Sequence, residues 1–553
     1  MHATPKESLN QRWSALVKER SSWIGHWQDL GEMFLPRSGR YNEGDRNDGR
    51  KKHNNILDST CTRACRILAA GLMGGATSPA RPWFRLAIAD RDLMQRASVK
   101  QWLHASTSVV LTMFQRSNTY RALHTAYGEL GVYGTHAIVV MEDFNKVIHL
   151  YPLTAGQYCL ATDEKGNVNT LYREFQLTVK QMVGQFGYNN CSQEVRTLYN
   201  NKSYEKTITV YHAIEPRLDR DVRKIDSRNM AYKSVYWEKG QEENGFLKVS
   251  GFRRFTVLAP RWVVTTGDDY GESPAMEALG DGRQLQHQQK RKAQGIDYHT
   301  KPPLQIPPGM KNNPLNAMPG GITHNTGQGR VESLFQPTLR LDFLLDDIRD
   351  VRERISQSFY TDLFLMIANT NDHRMTATEV AERQEEKLLM LGPVLERLHN
   401  ELLEPLVDIA FSRALEANLL PPPPPELQGT NLQVEFVSVL AQAQKAVSTT
   451  AVDRYVLNMG QIAQLKPEVL DKFNQDEWAD IYADVLGVDP SLIVPDREVA
   501  LVRQQRQEAA QAQAQLEQSQ VAADTMHKMS GASTEGNNIL SNIVDQFSGY
   551  TTR

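Results

Sequence analysis

Two helix-length segments flank an insert that cannot be helical. The first segment reads PAMEALGDGRQLQHQQKRKAQGIDY over residues 274–298, and the second reads LRLDFLLDDIRDVRERISQSFY over residues 339–360. The insert at residues 301–337 contains seven prolines and several glycines. Because proline lacks a backbone N–H and breaks helices, this order predicts two helices joined by an irregular insert. Short runs at residues 304–306 and 331–335 predict a small β element within the insert.

The two predicted helices differ in the surroundings that they need. Ser273 can cap the first helix, with Pro274 at the first helical position. That helix is polar nearly all round, so it needs polar neighbours or water on most sides. The second helix carries an apolar stripe at steps of three and four residues, formed by Leu341, Leu344, Leu345, Ile348, Val351, Ile355 and Phe359. Its ionic face, which is expected to meet water or neighbouring chains, carries Asp342, Asp346, Arg349, Asp350 and Glu353.

Length and composition limit the possible classes of protein. A chain of 553 residues exceeds one hydrophobic core, so two to four modules are expected. The 62 Lys and Arg residues nearly balance the 65 Asp and Glu residues, which argues against tight DNA binding. No apolar run is long enough to span a bilayer, and the first residues do not resemble a signal peptide, so no membrane association is expected.

The four cysteines predict neither a zinc site nor a disulfide framework. No Cys-x-x-Cys pair occurs, and so few thiols in so long a chain fit a reducing cytoplasm. Cys61 and Cys65 lie four residues apart on a probable helix, and we expect both to be small buried side chains.

The rest of the chain predicts an α+β fold that is mainly α. Short β-branched and aromatic runs between residues 137 and 258 predict an antiparallel sheet. The predicted helices cover residues 6–35, 60–72, 91–130, 376–416 and 497–529. Gly71 to Gly75 are expected to stop the second of these helices. Gly392, Pro393 and Pro405 are expected to bend the fourth, and the polyproline run at residues 421–425 is expected to mark a module boundary.

Sequence motifs for catalysis are absent. The chain has no Gly-x-x-x-x-Gly-Lys-Ser/Thr loop for nucleotide phosphates, and neither His-Glu-x-x-His nor Gly-x-Ser-x-Gly occurs. His399 precedes Glu401 on a predicted helix, but the second histidine of a zinc site is missing, so a helix-surface histidine is expected. We therefore predict no catalytic residue, no metal site and no cofactor.

Several short motifs resemble those of the portal (head-to-tail connector) proteins of short-tailed bacteriophages. They occur in the family's order, and the resemblance spans about residues 10–416, most of the chain. They are DST at residues 58–60, LAAGLM at 68–73, PWF at 82–84, VYGT at 132–135, YGESP at 270–274 and TATEV at 376–380. The family often has arginine where this chain has Glu272.

The resemblance implies a portal fold with an α/β wing, a two-helix stem, a small β-containing clip, a helical crown and a C-terminal helical barrel. The implied division is wing 1–272, stem helix 273–300, clip 301–338, stem helix 339–360, channel (tunnel) loop 361–375, long kinked wing helix 376–420, crown 421–495, barrel-like helix 496–530 and flexible tail 531–553.

The resemblance also implies a function and partners. The chain would be one subunit of a homo-oligomeric ring, a dodecamer, at one capsid vertex of the virion, assembled in the host cytoplasm. Double-stranded DNA would slide through the ring without sequence specificity. The expected protein partners are terminase, the major capsid and scaffolding proteins, and the tail adaptor.

Two groups of side chains are the candidates for this role. The DNA-channel candidates are Lys290, Arg291, Lys292, Asn371, Asp372, His373 and Arg374. The clip candidates are Lys301, Lys311 and Arg330. For the basic run, an equal alternative is a solvated helix face or pairing with the acidic second helix of a neighbour. For the whole chain, the alternatives are a tail adaptor or scaffold without a channel and, less favoured, a packaging enzyme.

Overall fold

The computed structural model describes residues 5–41, 56–221, 226–238, 245–300, 341–368, 390–427, 432–438, 455–462, 473–479 and 496–530, apart from residue 95, with the strand residues 304–305 and 332–333 and a few isolated positions. The chain divides into two compact units, Met1–Asn458 and Met459–Arg553.

Helices make up most of the described chain. They are α1 Pro5–Phe34, α2 Thr60–Ala76, α3 Arg91–Met94, α4 Ala97–Arg116, α5 Thr119–Tyr133, α6 Val179–Phe186, α7 Gln193–Asn200, α8 Pro274–Thr300, α9 Leu341–Ser358, α10 Thr361–Ala368, α11 Glu404–Glu416 and α12 Asp496–Ser530. Residues 390–398, 455–462 and 475–479 are also helical. None of the helices that the structure describes is both long and apolar enough to cross a membrane.

The described strands form antiparallel sheets. The strands are β1 Phe84–Ile88, β2 Ala137–Asp143, β3 Val147–Leu153, β4 Tyr158–Thr162, β5 Val168–Thr178, β6 Thr207–Pro216, β7 Tyr232–Glu238, β8 Lys248–Phe252, β9 Val257–Leu258, β10 Leu304–Gln305, β11 Glu332–Ser333 and β12 Leu432–Phe436. One sheet has the order β4-β5-β6-β7-β8 and another the order β3-β2-β9. The mixed α+β prediction is confirmed.

The expected module boundary at residues 421–425 is wrong. The chain beyond the prolines returns as β12 and pairs along all five residues of β1, from Phe84 opposite Phe436 to Ile88 opposite Leu432. Trp83 stacks on Phe436 at 6.4 Å between ring centroids. The polyproline run is therefore a connection inside the first unit.

The glycines at residues 71–75 do not end α2, contrary to the prediction. The helix continues to Ala76, and its Gly71 and Gly75 let other elements approach it closely. A Cβ at Gly71 would lie 2.1 Å from Cγ of Phe364 on α10, and one at Gly75 would lie 2.8 Å from Leu440. Lack of a side chain serves helix packing here rather than helix termination.

The first part of the predicted tunnel loop is also different in the structure. Residues 361–368 form α10, which follows α9 after a turn at Tyr360 with φ of 53°. Leu363 and Phe364 of this helix are buried in the main core. This apolar run packs against α2, a long-range contact that the sequence alone did not indicate. Residues 369–375 lie outside the described residues.

The long helix predicted after the loop contains a local irregularity. Residues 390–398 are α-helical, His399–Leu403 form a π-helical turn, and α11 follows with Pro405 in its first turn. The missing N–H of Pro405 accounts for a wider turn just before it. His399 is not the surface histidine that was expected, because it stacks on Phe436 at 4.1 Å and burial lowers its pKa to about 4.

Candidate functional site: the paired helices and their seat

Helices α8 and α9 lie side by side and antiparallel. Gln288 Nε2 donates to Asp347 Oδ2, and Arg354 pairs with Asp281 at 3.1 Å. On α8, Gln288 lies seven positions after Asp281. On α9, the partner of Gln288 lies seven positions before the partner of Asp281, so the order of the contacts reverses between the helices. The 301–338 insert therefore leaves and re-enters at the same end of the pair.

The apolar stripe of α9 is confirmed along most of its length. Ile348, Val351, Ile355 and Phe359 are at most 2% exposed and belong to the main core. Leu345 departs from the prediction and is 40% exposed. The buried part of α9 is thus the half that is remote from the insert.

The insert-proximal end of the helix pair presents apolar side chains to solvent. Phe343 and Leu345 near the start of α9 are exposed, as are Ile296 and Tyr298 near the end of α8. Because the helices are antiparallel, these four residues lie at the same end of the pair. In this part of the molecule the helices are not covered by the main core.

The ionic face of α9 is exposed as predicted. Asp342, Asp346, Arg349, Asp350 and Glu353 are all exposed. Arg349 pairs with Asp346 at 3.4 Å, and Arg354 pairs with Asp350, so part of the acidic charge is neutralised within the helix. Exposed pairs of this kind stabilise a helix by only about 0.5 kcal/mol.

The basic run of α8 lies on an open face. Lys290 and Arg291 are exposed, and Lys292 is half-buried. Arg291 Nε approaches Nε2 of His287 at 3.4 Å. Within the described residues, no carboxylate lies within ion-pairing distance of these three side chains, so their charge is available to an external anion.

Asp58 fastens the start of α2 to both helices of the pair. Its Oδ2 accepts hydrogen bonds from Gln289 Nε2 at 2.9 Å and from Arg352 Nη2 at 2.7 Å. Its Oδ1 accepts from the backbone N–H and the hydroxyl of Thr60, so Asp58 rather than Ser59 supplies the capping side chain. Gln286 bonds both the N–H and the C=O of Asp58.

The pKa of Asp58 reflects this environment. Burial alone would raise the pKa of this carboxyl, but hydrogen bonds from Thr60 and Arg352 and the charge of Arg352 outweigh it. The net effect lowers the pKa, so Asp58 is ionised at neutral pH. Asp58 thus holds three elements in position, which is a structural role and not a catalytic one.

The first turn of α8 rests on the turn that follows α5. Gly134 has φ of 71° and caps α5, and a Cβ there would lie 2.1 Å from the carbonyl oxygen of Gly271. The N–H of Gly271 donates to Thr135 Oγ1 at 2.7 Å. Ser273 donates its hydroxyl proton to the carbonyl of Val132 and accepts from the N–H of Met276, which confirms Ser273 as the cap.

Comparison with known proteins shows the family of this chain. Residues 6–494 match the family described as "Bacteriophage head to tail connecting protein". The chain belongs to this family. A "Probable portal protein" of Bordetella phage BPP-1 is 55% identical to it, and a "Portal protein" of Salmonella phage epsilon15 is 42% identical; in both cases 99% of each chain is covered. The family resemblance inferred from the short motifs is confirmed.

Solved particles give a much weaker likeness. A chain of the "Neck of empty GTA particle computed with C6 symmetry" aligns with 82% of this chain and 98% of its own length, at 12% identity and a TM-score of 0.36. A chain of the "Virion of native gene transfer agent (GTA) particle" gives 13% identity and a TM-score of 0.33.

The fold of this head-to-tail connecting protein brings one pair of motifs together and places a further motif against the helix pair. The VYGT segment at residues 132–135 contacts the YGESP segment at 270–274 through the Gly134 turn. The DST segment at residues 58–60 contacts both helices of the pair through Asp58. These motifs position α8 and α9, which explains why they are spread along the sequence.

Several predicted residues of this family member cannot be located. The channel candidates Asn371, Asp372, His373 and Arg374 and the clip candidates Lys301, Lys311 and Arg330 lie outside the described residues. In the insert, β10 pairs with β11, with Leu304 opposite Ser333 and Gln305 opposite Glu332. The predicted β element is therefore present and is paired within the chain.

The described residues show no cluster of metal-binding side chains, and burial makes two of the thiols poor nucleophiles. Burial raises the pKa of the Cys61 and Cys65 thiols to about 12, so neither supplies a thiolate at neutral pH. No group of three or more histidine, cysteine, aspartate or glutamate side chains in the described part could hold a metal ion. The sequence did not single out Gln288, which is buried and bonds Asp347 of α9, or Gln289, which is half-buried and bonds Asp58. A glutamine on a polar helix gives no local signal of such contacts.

Proposed function

We propose that this chain is a phage portal subunit that assembles into a dodecameric ring at one capsid vertex and conducts the genome. The full-length similarity to portal proteins supports the role, and one structural observation carries the mechanism. Helices α8 and α9 form an antiparallel pair fixed to the main core at one end and open at the other. Copies of such a pair arranged around an axis would form a wall.

The charges on the pair suit a wall past which DNA slides. Duplex DNA carries one negative charge per ~1.7 Å of axis, so a uniformly basic wall would hold it. Here exposed carboxylates of α9 stand near arginines of the same helix, and the two exposed cations Lys290 and Arg291 lie on α8. Mixed charge with a few free cations guides DNA without trapping it, and it offers no base-specific contact.

The open end of the pair, together with the insert at residues 301–338, is the proposed docking end for terminase and later for the tail adaptor. Its exposed apolar residues are suited to contacts with protein. The major capsid and scaffolding proteins would contact the ring during assembly in the host cytoplasm, and the finished ring would remain in the virion. The proposed activity requires no cofactor.

Electron microscopy of the purified chain tests the proposal. The expected particles are closed rings with twelve-fold symmetry around a hole wide enough for a DNA duplex, and native mass measurement should give twelve chains. Monomers or solid oligomers under conditions that allow other portal proteins to assemble would contradict it, and would favour a scaffold or adaptor without a channel. Twelve-fold rings that hydrolyse ATP or cleave DNA would instead favour a packaging enzyme.

A further inference from the structure

A cleft lined by charged and polar side chains lies in the first unit. It has a volume of about 510 Å³. Its walls come from the chain after α1, from α2, from α5 and from the β3–β4 turn. The polar side chains that line it are Arg37, Ser38, Arg40, Thr62, Arg66, Thr125, Glu129, His136, Tyr151, Thr154 and Gln157. Clefts of 300–1,000 Å³ are typical of small-molecule sites.

The floor of the cleft is a hydrogen-bonded network. Glu129 accepts from the hydroxyl of Ser38 at 2.6 Å through Oε1, and its Oε2 lies 3.1 Å from Nδ1 of His136. Ser38 also contacts Thr154 Oγ1 at 3.0 Å, which accepts from the N–H of Gly39 at 2.8 Å. These bonds hold the loop after α1 rigidly against the β3–β4 turn, so the cleft is preformed.

The rim of the cleft carries excess positive charge. Arg37, Arg40 and Arg66 line it and are exposed, whereas Glu129 is the only carboxylate among the lining residues. Within the described residues, none of these three guanidinium groups pairs with a carboxylate. Guanidinium groups bind phosphate and carboxylate oxygens in a bidentate way, and the neighbouring threonine hydroxyls add further donors.

From this geometry we propose that the cleft binds a small anion that carries phosphate groups. Arg37 and Arg40 of the loop after α1 converge with Arg66 of α2 on a cavity of ligand size, and these arginines outnumber its single lining carboxylate. Duplex DNA does not fit, because a rod of its width cannot enter a cleft of about 510 Å³. A metal ion does not fit either, since Glu129 and His136 already bond each other. The proposal is independent of ring formation.

Calorimetric titration with inorganic pyrophosphate tests the proposal on the purified full chain. We expect saturable binding of one pyrophosphate per chain and a rise in Tm that exceeds the effect of sodium chloride at equal ionic strength. The double variant Arg40→Gln, Arg66→Gln should weaken binding at least tenfold, because two charge-assisted contacts are lost. The double variant Arg63→Gln, Arg121→Gln is the control: both arginines are exposed on α2 and α5, two helices that contribute to the cleft wall, but neither lines the cleft.

Three results would overturn the proposal. The first is an absence of saturable binding. The second is equal weakening in both double variants, which would indicate general charge attraction. The third is that the wild-type chain does not bind pyrophosphate and that the Arg40 and Arg66 variant no longer forms rings. That result would indicate that the cleft binds an acidic side chain of a second copy of the chain. Because rings are scored by microscopy and the anion by calorimetry, failure here is distinct from failure of the proposed function.

Discussion

Asp58 shows how one carboxylate can position distant parts of the molecule. It joins the first turn of α2 to Gln289 and Arg352, which lie 231 and 294 residues further along the chain. Its side chain is 6% exposed, whereas that of Arg352 is 49% exposed. Removal of the negative charge therefore leaves the arginine solvated, but leaves the buried donors with a poorer acceptor.

We expect Asp58→Asn to lower the free energy of unfolding by about 2 kcal/mol. The measurement is urea unfolding followed by circular dichroism. Asp29→Asn is the matched control, since Asp29 pairs with Arg283 of α8 at 2.6 Å but is exposed; its loss should be under about 1 kcal/mol. Equal losses in the two variants would contradict the special role of the buried carboxylate.

The lowered pKa of Asp58 also predicts a pH dependence of stability. Because the folded pKa lies below the unfolded value of about 3.9, the stabilisation is complete above that value and is lost as the pH falls through the folded pKa. The difference in Tm between the wild type and Asp58→Asn should therefore be constant from pH 5 to pH 7 and should shrink below about pH 4. A difference that grows on acidification would contradict this sign.

Gly134 is the second residue on which the site depends. We expect Gly134→Ala to lower the free energy of unfolding by about 3 kcal/mol, because it adds a clash with the carbonyl of Gly271 to the strain of a positive φ. Gly166→Ala is the control: its φ is 79° but a Cβ there would meet no atom within 4 Å. That control should lose only about 1 kcal/mol, and a similar loss at both positions would argue against the close approach.

At the scale of elements, the contact between α2 and α10 depends on the absence of a side chain. Gly71 meets the ring of Phe364, whereas Gly74 on the same helix faces open space. We expect Gly71→Ala to destabilise the protein by about 2 kcal/mol through overpacking and to increase amide hydrogen exchange in residues 361–368. Gly74→Ala should instead be neutral or stabilising by up to about 1 kcal/mol. Unchanged exchange in Gly71→Ala would show that α10 does not depend on this contact.

The exposed cations of α8 allow the proposed role of this helix in guiding DNA to be tested. We expect the double variant Lys290→Gln, Arg291→Gln to form rings but to package or retain less DNA, because both side chains are exposed and have no carboxylate partner among the described residues. Packaging in a complementation assay and DNA retention in particles are the measurements. The control is Arg349→Gln, an exposed arginine already paired with Asp346. Normal packaging by intact rings of the double variant would remove these residues from the channel role.

At the scale of the whole molecule, the two compact units predict separate folding. The buried apolar clusters of the described chain lie in Met1–Asn458, and the described residues of α12 in the second unit are almost all exposed. A chain that ends at Asn458 should keep the thermal unfolding transition of the main core. A fall of more than about 5 °C in the Tm of that transition, which for a unit of this size corresponds to roughly 5 kcal/mol, would show that the second unit supports the first.

Local sequence signals determined much of the fold and part of the candidate site. Pro274 after a serine cap, the three- and four-residue steps from Ile348 to Phe359, and the prolines of the insert each act within a few residues, so they predict α8, α9 and the break between them. The order of short motifs also determined the family. These features follow from backbone geometry and local burial, which a single segment largely expresses.

Only the tertiary structure decided which residues meet. The glycines of α2 read as a helix stop because their partner, Phe364, lies almost 300 residues away, and residues 361–368 read as a loop for the same reason. Local sequence likewise gives no sign that β12 pairs with β1 or that Asp58 bonds residues of two distant helices. It also does not show that Arg66 lines one cleft with Arg37 and Arg40. Long-range contacts depend on how whole elements pack, and a segment read by itself does not specify its partner.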